Sequence, residues 1–331
     1  MKKRLTLLVV GLICGTLFTA CGNENKKSNT LSISVVAGSM SENTPAGIGV
    51  KTLAEKLTEY SNGTINATPY FDTQLGDAKS MVQGLQNGTI DIGVAGNSYY
   101  SSIVPDVQVL ELPYMFSNYE QARNVVDGEI GKELLNKFNE KGIVGLKFWE
   151  IGFRQFSNKK REIKSVDDIK GLKIRTLTSP IQVKVWEMYG ALPTAIDSSE
   201  LYTSLQQGVI DGQENPISEI VSKRLYEVQQ HVSLTSHVYT PMILGMSKLT
   251  YDKLTDEQKE ILEKAVIDAT KASRDAVLQQ EEEGLKTLQE NGVKIVENPN
   301  LSKFIEIGKA SYPVFTEKYG DEFVNKIEAL K

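Results

Sequence analysis

Residues 208–216 read Gly-Val-Ile-Asp-Gly-Gln-Glu-Asn-Pro and close a predicted strand–helix–turn unit. The alternation of apolar side chains over residues 172–175 predicts a short strand ending at Arg175. Residues 199–207 carry apolar side chains at helical spacing, after a serine that can serve as the N-cap. The Asp-Gly pair predicts a turn, and the proline after Asn215 ends the unit. The unit therefore delivers an arginine and an asparagine to loops that can face a cleft.

Five further motifs accompany this unit in a fixed order: Gln74-Leu75-Gly76, Asp91-Ile92, Leu112-Pro113-Tyr114-Met115-Phe116, Asp167-Asp168-Ile169-Lys170-Gly171 and Leu234-Thr235-Ser236-His237. Together they resemble the solute-binding subunits of TRAP transporters (tripartite ATP-independent periplasmic transporters) of the dicarboxylate type. The resemblance extends over nearly the whole chain after its N-terminal segment. It implies an α/β, two-lobed fold like that of periplasmic binding proteins, with hinged domains and a long helix spanning both lobes.

The N-terminal segment resembles the signal of a bacterial lipoprotein. Three basic residues at positions 2–4 precede an apolar run over residues 5–17, and small residues lead to Cys21. We predict a signal peptide at residues 1–20, a lipid on Cys21 and a flexible polar tether over residues 21–30. The alternative is a plain signal peptide that happens to end near a cysteine.

The bulk composition restricts the class of protein. With 40% hydrophobic and 24% charged residues among 331, the chain is typical of a globular protein large enough for two lobes. The net charge of −5 argues against nucleic acid or anionic lipid as the main partner. Such a protein must bind an anion with a few local cations rather than with a basic surface.

The periodicity predicts alternating strands and helices, with a long helix near the C-terminal end. That helix covers about residues 255–290, with Thr255 as N-cap and Gln258 at the capping-box position. At ~1.5 Å per residue it would reach ~50 Å, enough to brace both lobes. We assign residues 31–151 plus 241–280 to lobe I and residues 152–240 plus 281–331 to lobe II. Other predicted elements are strands at 31–37, 65–70, 90–95, 144–151 and 233–244, helices at 47–60, 77–86 and 119–139, and one or two terminal helices over 304–331.

The chain lacks the motifs of common enzyme classes. It contains no Gly-x-Ser-x-Gly, no phosphate-binding Gly-x-x-x-x-Gly-Lys-Ser/Thr and no His-Glu-x-x-His. Its two histidines, His231 and His237, are six positions apart, which does not suit a typical zinc pair. We therefore predict a binding protein that is not an enzyme and carries no metal and no cofactor.

Two arginines are the candidate anion clamp. Arginine presents a planar fork that can make two parallel hydrogen bonds to a carboxylate. Arg175 is the main candidate, and the resemblance implies that it is the principal carboxylate-binding residue. The matching position in the family also places Arg154 in the cleft, whereas the alternative is a surface arginine stacked on Phe153. For Arg175 the alternative is a surface ion pair with Asp167 or Asp168.

The remaining candidates would orient the solute. Asn215 offers both a donor and an acceptor to a carboxylate or hydroxyl group. Expected hydroxyl contacts are Gln74, Asn97, Tyr99 and Ser199, while His237 is either a hydrogen-bonded structural residue or a ligand contact. The sequence leaves open whether the two arginines hold one carboxylate or two. A uronate, an aldonate or a C4-dicarboxylate fits better than sialic acid, whose binding proteins carry other residues at positions 78, 96, 99 and 198.

The resemblance implies an extracytoplasmic, monomeric protein that captures a small organic acid. It would pass the acid to one small and one large integral membrane subunit, driven by an ion gradient. The membrane would be contacted through the lipid anchor only, and nucleic acid is not an expected partner. The alternative is a sensor protein that presents the same acid to a membrane receptor. Neighbouring genes would separate these alternatives, since transport requires two integral membrane subunits.

Overall fold

The fold is seen in a computed structural model that describes residues 30–177 and 179–331. The predicted signal peptide, Cys21 and residues 21–29 of the tether lie outside the described residues. The strands are β1 (Leu31–Val36), β2 (Ile65–Tyr70), β3 (Ile92–Gly96), β4 (Ile143–Phe153), β5 (Gln155–Asn158), β6 (Lys173–Thr176), β7 (Leu192–Ala195), β8 (Gly212–Asn215), β9 (His231–Ser233), β10 (Tyr239–Ser247) and β11 (Lys294–Val296). The helices are α1 (Pro45–Tyr60), α2 (Ala78–Asn87), α3 (Tyr119–Asp127), α4 (Glu129–Asn136), α5 (Pro180–Met188), α6 (Leu201–Gln206), α7 (Ile217–Ser222), α8 (Lys248–Tyr251), α9 (Asp256–Glu290), α10 (Ser302–Ala310), α11 (Pro313–Tyr319) and α12 (Glu322–Glu328).

Two mixed sheets form the centres of the two lobes, which confirms the predicted two-lobed α/β class. The first has the order β2-β1-β3-β10-β4, and the second has the order β11-β9-β5-β8-β6-β7. In the first sheet, β1 is parallel to both β2 and β3, whereas β10 is antiparallel to its neighbours. In the second sheet, β6 lies parallel between β7 and β8. Parallel strands bring their carboxyl ends to one edge of a sheet, where open α/β sheets bind ligands.

The chain crosses between the sheets at Arg154, the single residue between β4 and β5. It returns where β10 follows β9, and the Arg154 N–H donates to Val238 O across these two crossings at 2.8 Å. Gly152, just before the crossing, has a φ of +123°. A Cβ there would lie 2.8 Å from the Tyr119 hydroxyl, so both the backbone and the packing require glycine.

Helix α9 joins the two lobes, as the sequence predicted. Thr255 and Gln258 form the capping box, and the 35 residues extend over ~52 Å at ~1.5 Å per residue. Near its N-terminal end, Leu262 and Ala269 pack in the core of the first sheet. Near its C-terminal end, Leu288 packs with Val232 in the second lobe. Among the residues that the structure covers, no helix combines the length and the hydrophobicity that a bilayer span requires.

Three predicted elements differ from the structure. The helix predicted over 119–139 is two helices, α3 and α4, because Gly128 between them adopts an extended conformation. The strand predicted over 233–244 is divided into β9 and β10, because Ser236 has a φ of +41° and breaks the ladder. The region after residue 301 contains three helices, and the last of them pairs Lys326 with Glu133 of α4 at 2.7 Å. The C-terminal helices therefore also contact the first lobe.

Candidate functional site

A cavity lies between the two lobes, at the carboxyl ends of β3, β6 and β8. It has a volume of about 40 Å³, and the residues lining it include Arg154, Arg175, Asn215, Tyr99 and Ser198. The parallel pairing of β6 with β8, through Ile174 and Gly212, explains why Arg175 and Asn215 reach the same edge. A larger open groove of about 520 Å³ lies on the surface around Tyr114 and Lys331, and it contains none of the predicted site residues.

Arg175 is a buried cation that forms no ion pair with any described residue, although the Glu214 and Asp197 charges act on it at longer range. It lies on β6 with 2% of its surface exposed, and its Nε donates to Ile196 O at 2.8 Å. Within residues 30–177 and 179–331, no ion pair of Arg175 and no hydrogen bond from its terminal amino groups is found. Burial, followed by the neighbouring Arg154 charge, lowers the pKa of Arg175. The guanidinium therefore has its donor fork available in the cavity.

The alternative ion pairs of Arg175 are absent because both aspartates are engaged elsewhere. Asp167 pairs with Lys170 at 2.8 Å and lies 3.6 Å from Lys303. Asp168 accepts hydrogen bonds from the Ser165 backbone and hydroxyl in a capping box. The alternative of a surface ion pair for Arg175 is thus wrong.

Arg154 lines the same cavity but is already neutralised. Its side chain is 1% exposed and forms a buried ion pair with Glu214, with Nη2 also donating to Glu214 Oε1 at 3.0 Å. Nη2 donates to Asn215 Oδ1 at 3.0 Å, and Nη1 donates to Thr240 Oγ1 at 3.3 Å. The alternative of an arginine stacked on the surface is therefore wrong. Most of the N–H donors of the Arg154 guanidinium are therefore used in hydrogen bonds within the protein.

Glu214 connects Arg154 to His237. His237 Nε2 lies 3.3 Å from Glu214 Oε2, and its Nδ1 lies 2.8 Å from the Thr235 hydroxyl. Burial alone would raise the pKa of Glu214, but the Arg154 charge and the hydrogen bonds from His237 and Arg154 lower it to about 2. Burial lowers the pKa of His237 even though Glu214 opposes that shift. Glu214 is therefore ionised and His237 is neutral near pH 7.

Tyr99 and Asn215 line the cavity as predicted from their positions. The Tyr99 hydroxyl donates to Asp197 Oδ2 at 2.9 Å, which links the loop after β3 to the loop after β7. Burial alone would raise the pKa of Asp197, but hydrogen bonds from Ser199 and Tyr99 lower it. Asn215 donates from Nδ2 to Gln213 and accepts from Arg154, so its amide is held in a fixed orientation.

Four predicted contacts do not line the cavity. Gln74 is exposed, and its side-chain oxygen accepts from Phe71 N. Asn97 is buried behind the cavity, where Nδ2 donates to Val107 O and Glu111 Oε2. Ser199 is exposed, and both its N–H and its hydroxyl donate to Asp197, which is therefore the N-cap of this turn. His237, as described above, lies behind Glu214.

Several cavity residues were not singled out from the sequence. Thr240 is one of them and lies in β10, at the return crossing. Glu219 lies in α7, four positions after Asn215, with 2% of its surface exposed. Asn215 ends β8 and Glu219 lies in the following helix α7, so no periodicity relates the two residues. Only the fold brings both of them to the cavity.

The charged and polar side chains of the site are almost completely buried. Arg154 and Arg175 are 1% and 2% exposed, and Asn215 is 6% exposed. A solute can reach them only when the lobes separate, and it would then be enclosed as they close again. Such closure strengthens hydrogen bonds to charged groups, because it removes competing water.

Comparison with known proteins assigns this chain to a family. Residues 36–318 match the family model DctP, described as bacterial extracellular solute-binding protein, family 7. The sialic acid-binding periplasmic protein SiaP of Vibrio cholerae is 32% identical over 284 residues, covering 85% of this chain and 87% of that protein. The C4-dicarboxylate-binding periplasmic protein DctP of Rhodobacter capsulatus is 33% identical over 250 residues, covering 75% of each chain.

Two solved structures share the fold closely. A TRAP periplasmic solute-binding protein from Polaromonas sp. JS666, bound to D-erythronate, has a TM-score of 0.87 and 33% identity, covering 91% of this chain and 99% of that chain. The sugar acid binding protein DctPAm from Advenella mimigardefordensis, in complex with galactonate, has a TM-score of 0.86 and 32% identity, covering 90% and 97%. These relatives are extracytoplasmic transport proteins rather than enzymes, and they bind small organic acids. The chain belongs to family 7 of the bacterial extracellular solute-binding proteins, the binding proteins of TRAP transporters.

Proposed function

We propose that this protein captures a small organic acid through Arg175 and delivers it to the membrane subunits of a TRAP transporter. The observation that carries this proposal is the buried Arg175 guanidinium, which has no acid partner among the described residues. An unpaired buried charge is costly, so a solute carboxylate that pairs with it binds favourably. The planar fork of arginine fits a carboxylate through two parallel hydrogen bonds.

The charge count of the cavity favours one solute carboxylate over two. Arg154 is paired with Glu214, which leaves Arg175 as the unneutralised arginine of the pair. A second carboxylate near Arg154 would compete with Glu214 for the same donors. A monocarboxylic sugar acid, such as an aldonate or a uronate, therefore fits better than a C4-dicarboxylate. Relatives were solved with D-erythronate and galactonate, but others bind succinate or C4-dicarboxylates, so this preference rests on the charges of the cavity.

The remaining partners follow from the family and the N-terminal sequence. One small and one large integral membrane subunit would receive the acid, and an ion gradient would drive its uptake. Cys21 would carry the lipid that keeps the protein at the outer face of the membrane, with residues 21–30 as its tether. Within this proposal the protein acts as a monomer. Labelling with a radioactive fatty acid, with and without Cys21→Ser, tests the anchor.

A thermal-shift screen with a library of organic acids tests the binding function. A ligand present at 100 times its Kd adds ~2.7 kcal/mol to stability, which gives a clearly measurable rise in Tm. We expect sugar acids to raise Tm and the matching neutral sugars to leave it unchanged. Neutral sugars that stabilise the protein while all acids fail would contradict the carboxylate clamp.

Variants of Arg175 then locate the clamp. Arg175→Met leaves a solute carboxylate buried without a partner, which is expected to cost roughly 2–5 kcal/mol, or about 30-fold to several thousand-fold in Kd. Arg175→Lys keeps the charge but loses the fork, so it is also expected to weaken binding. The matched control is Arg224→Lys, because Arg224 is an exposed arginine of the same lobe. Unchanged affinity in Arg175→Lys would contradict two-bond recognition.

A further inference from the structure

A second buried charged group lines the cavity, and part of its hydrogen-bonding capacity is unused among the described residues. Glu219 lines it with 2% of its surface exposed, and its Oε1 is buried without a hydrogen-bond partner among the described residues. Its other oxygen, Oε2, lies 3.5 Å from Lys223 Nζ, too far for more than a loose ion pair. Buried polar atoms almost always have partners, so an unpartnered carboxylate oxygen in a binding cavity indicates a donor supplied by the solute.

We propose that Glu219 is a specificity-determining residue that accepts a hydrogen bond from a hydroxyl group of the solute and rejects a second carboxylate. This inference rests on the proposed function, because it takes Arg175 as the group that holds the solute carboxylate. Arg175 and Glu219 then give the cavity a polarity, with a cation for the acid group and an anion for the hydroxylated part. The substrate class becomes the hydroxylated monocarboxylates.

The charges around the cavity explain why a dicarboxylate is rejected. Its second carboxylate would face Glu219 as a like charge in a site from which water is excluded, where repulsion is strong. Arg154 cannot relieve this repulsion, because Glu214 already neutralises it.

The solute group that reaches Glu219 is a hydroxyl rather than an ammonium. Lys223 already supplies a cation to Glu219, which reduces the attraction for a second one. A carboxylate nevertheless accepts a strong hydrogen bond from a neutral hydroxyl, because one partner of that bond is charged. A zwitterionic amino acid is therefore expected to bind less well than a hydroxy acid of similar size.

Isothermal titration calorimetry with four probes tests the role of Glu219: D-galactonate, butyrate, succinate and γ-aminobutyrate. The wild-type protein is expected to bind D-galactonate more tightly than the other three. In Glu219→Gln, galactonate is expected to bind about 10- to 100-fold more weakly, as for the loss of a hydrogen bond to a charged group. Succinate binding is expected to be unchanged or tighter, so the preference for galactonate falls.

Two further variants provide the controls. Glu263→Gln removes an exposed carboxylate of α9 and should leave all four affinities unchanged. Lys223→Gln removes the cation beside Glu219 at a partly exposed position, so folding should be maintained. It is expected to weaken succinate binding further while leaving galactonate within a few-fold of wild type. This second readout keeps the inference testable if Glu219→Gln does not fold.

The outcomes separate this inference from the proposed function. If Arg175→Met abolishes galactonate binding but Glu219→Gln keeps the wild-type ratio of galactonate to succinate affinity, the role of Glu219 is overturned and the clamp stands. If galactonate binding survives in Arg175→Met, the clamp itself is overturned. If none of the probes binds the wild-type protein, both are contradicted. An unchanged succinate affinity in Lys223→Gln also counts against the role of Glu219.

Discussion

Arg154 and Arg175 line the same cavity, yet their charges are used in different ways. Arg154 is paired with Glu214 and holds Asn215 and Thr240, all within the protein. Arg175 makes one hydrogen bond, to Ile196 O, and has no acid partner among the described residues. Burial is nearly complete for both, so burial does not distinguish them. Two equally buried arginines of one cleft therefore differ in how much of their charge the protein itself compensates.

The position of each arginine in the chain explains this difference. Arg154 is the single residue between two strands of different sheets, where fixed geometry maintains the crossing. Arg175 lies near the end of β6, and the loop after β7 approaches it with a backbone carbonyl rather than a carboxylate. We therefore regard Arg154 as the residue that organises the hinge side of the cavity, and Arg175 as the one that binds the solute.

The largest expected effect is on folding stability. Arg154→Met leaves Glu214 buried without its cation, which is expected to cost about 3–5 kcal/mol of unfolding free energy. Arg175→Met removes a cation with no acid partner, so its cost should stay within about 1 kcal/mol, the value of one hydrogen bond. Urea unfolding of both variants, without added ligand, measures this contrast.

A double variant makes the comparison sharper. Arg154→Met with Glu214→Gln removes both charges and is expected to recover much of the stability that Arg154→Met alone loses. Equal losses in Arg154→Met and Arg175→Met would mean that the two arginines are not used differently.

The next effect is a dependence of folding stability on pH, which arises from His237 and Glu214 beside Arg154. The pKa of His237 is lowered in the folded protein, mainly by burial. As pH falls below about 6.5, the unfolded chain therefore takes up a proton on His237 before the folded protein does, and stability is lost. The pKa of Glu214, about 2, adds a further loss below about pH 4.5. His237→Gln is thus expected to lose less stability between pH 7.5 and 5.0 than the wild type.

Two other titratable groups, Glu111 and His231, also contribute to the pH dependence of stability. Burial raises the pKa of Glu111 to about 7, which has the opposite sign and increases stability as pH falls from about 7. This contribution is common to all variants and cancels in their differences. The comparison variant is His231→Gln, because burial and the neighbouring Lys294 also lower the pKa of His231, so an effect of the same sign is expected from a site away from Glu214. If the stability of His237→Gln depends on pH as strongly as that of the wild type, His237 does not contribute to this pH dependence.

The smallest expected effect concerns closure of the lobes beside Arg175. Tyr99→Phe removes the hydrogen bond to Asp197 that joins the two lobes across the cavity. The expected cost is about 0.5–1.5 kcal/mol in affinity, mainly as faster dissociation of the solute. Tyr202→Phe is the matched control, because its 2.7 Å hydrogen bond to Glu227 lies within one lobe. Stopped-flow dissociation rates that change equally in both variants would contradict a closing role for Tyr99.

Local sequence signals located most of the elements. Strand β2 was predicted at its observed bounds, and α9 was predicted within one residue because its cap and its apolar spacing are local properties. The helix over 119–139 and the strand over 233–244 were predicted too long. In both cases one residue, Gly128 or Ser236, adopts a backbone conformation that interrupts the regular element. Apolar periodicity carries no information about such single-residue breaks.

The amino-acid sequence by itself determined the α/β class, the long bracing helix, the family and the two arginines, because these depend on local periodicity and ordered motifs. Only the tertiary structure decided that Glu214 neutralises Arg154, that Arg175 has no acid partner among the described residues, and that Glu219 faces the cavity. Arg154 and Glu214 are 60 positions apart in the chain, and no local pattern encodes the distance between them.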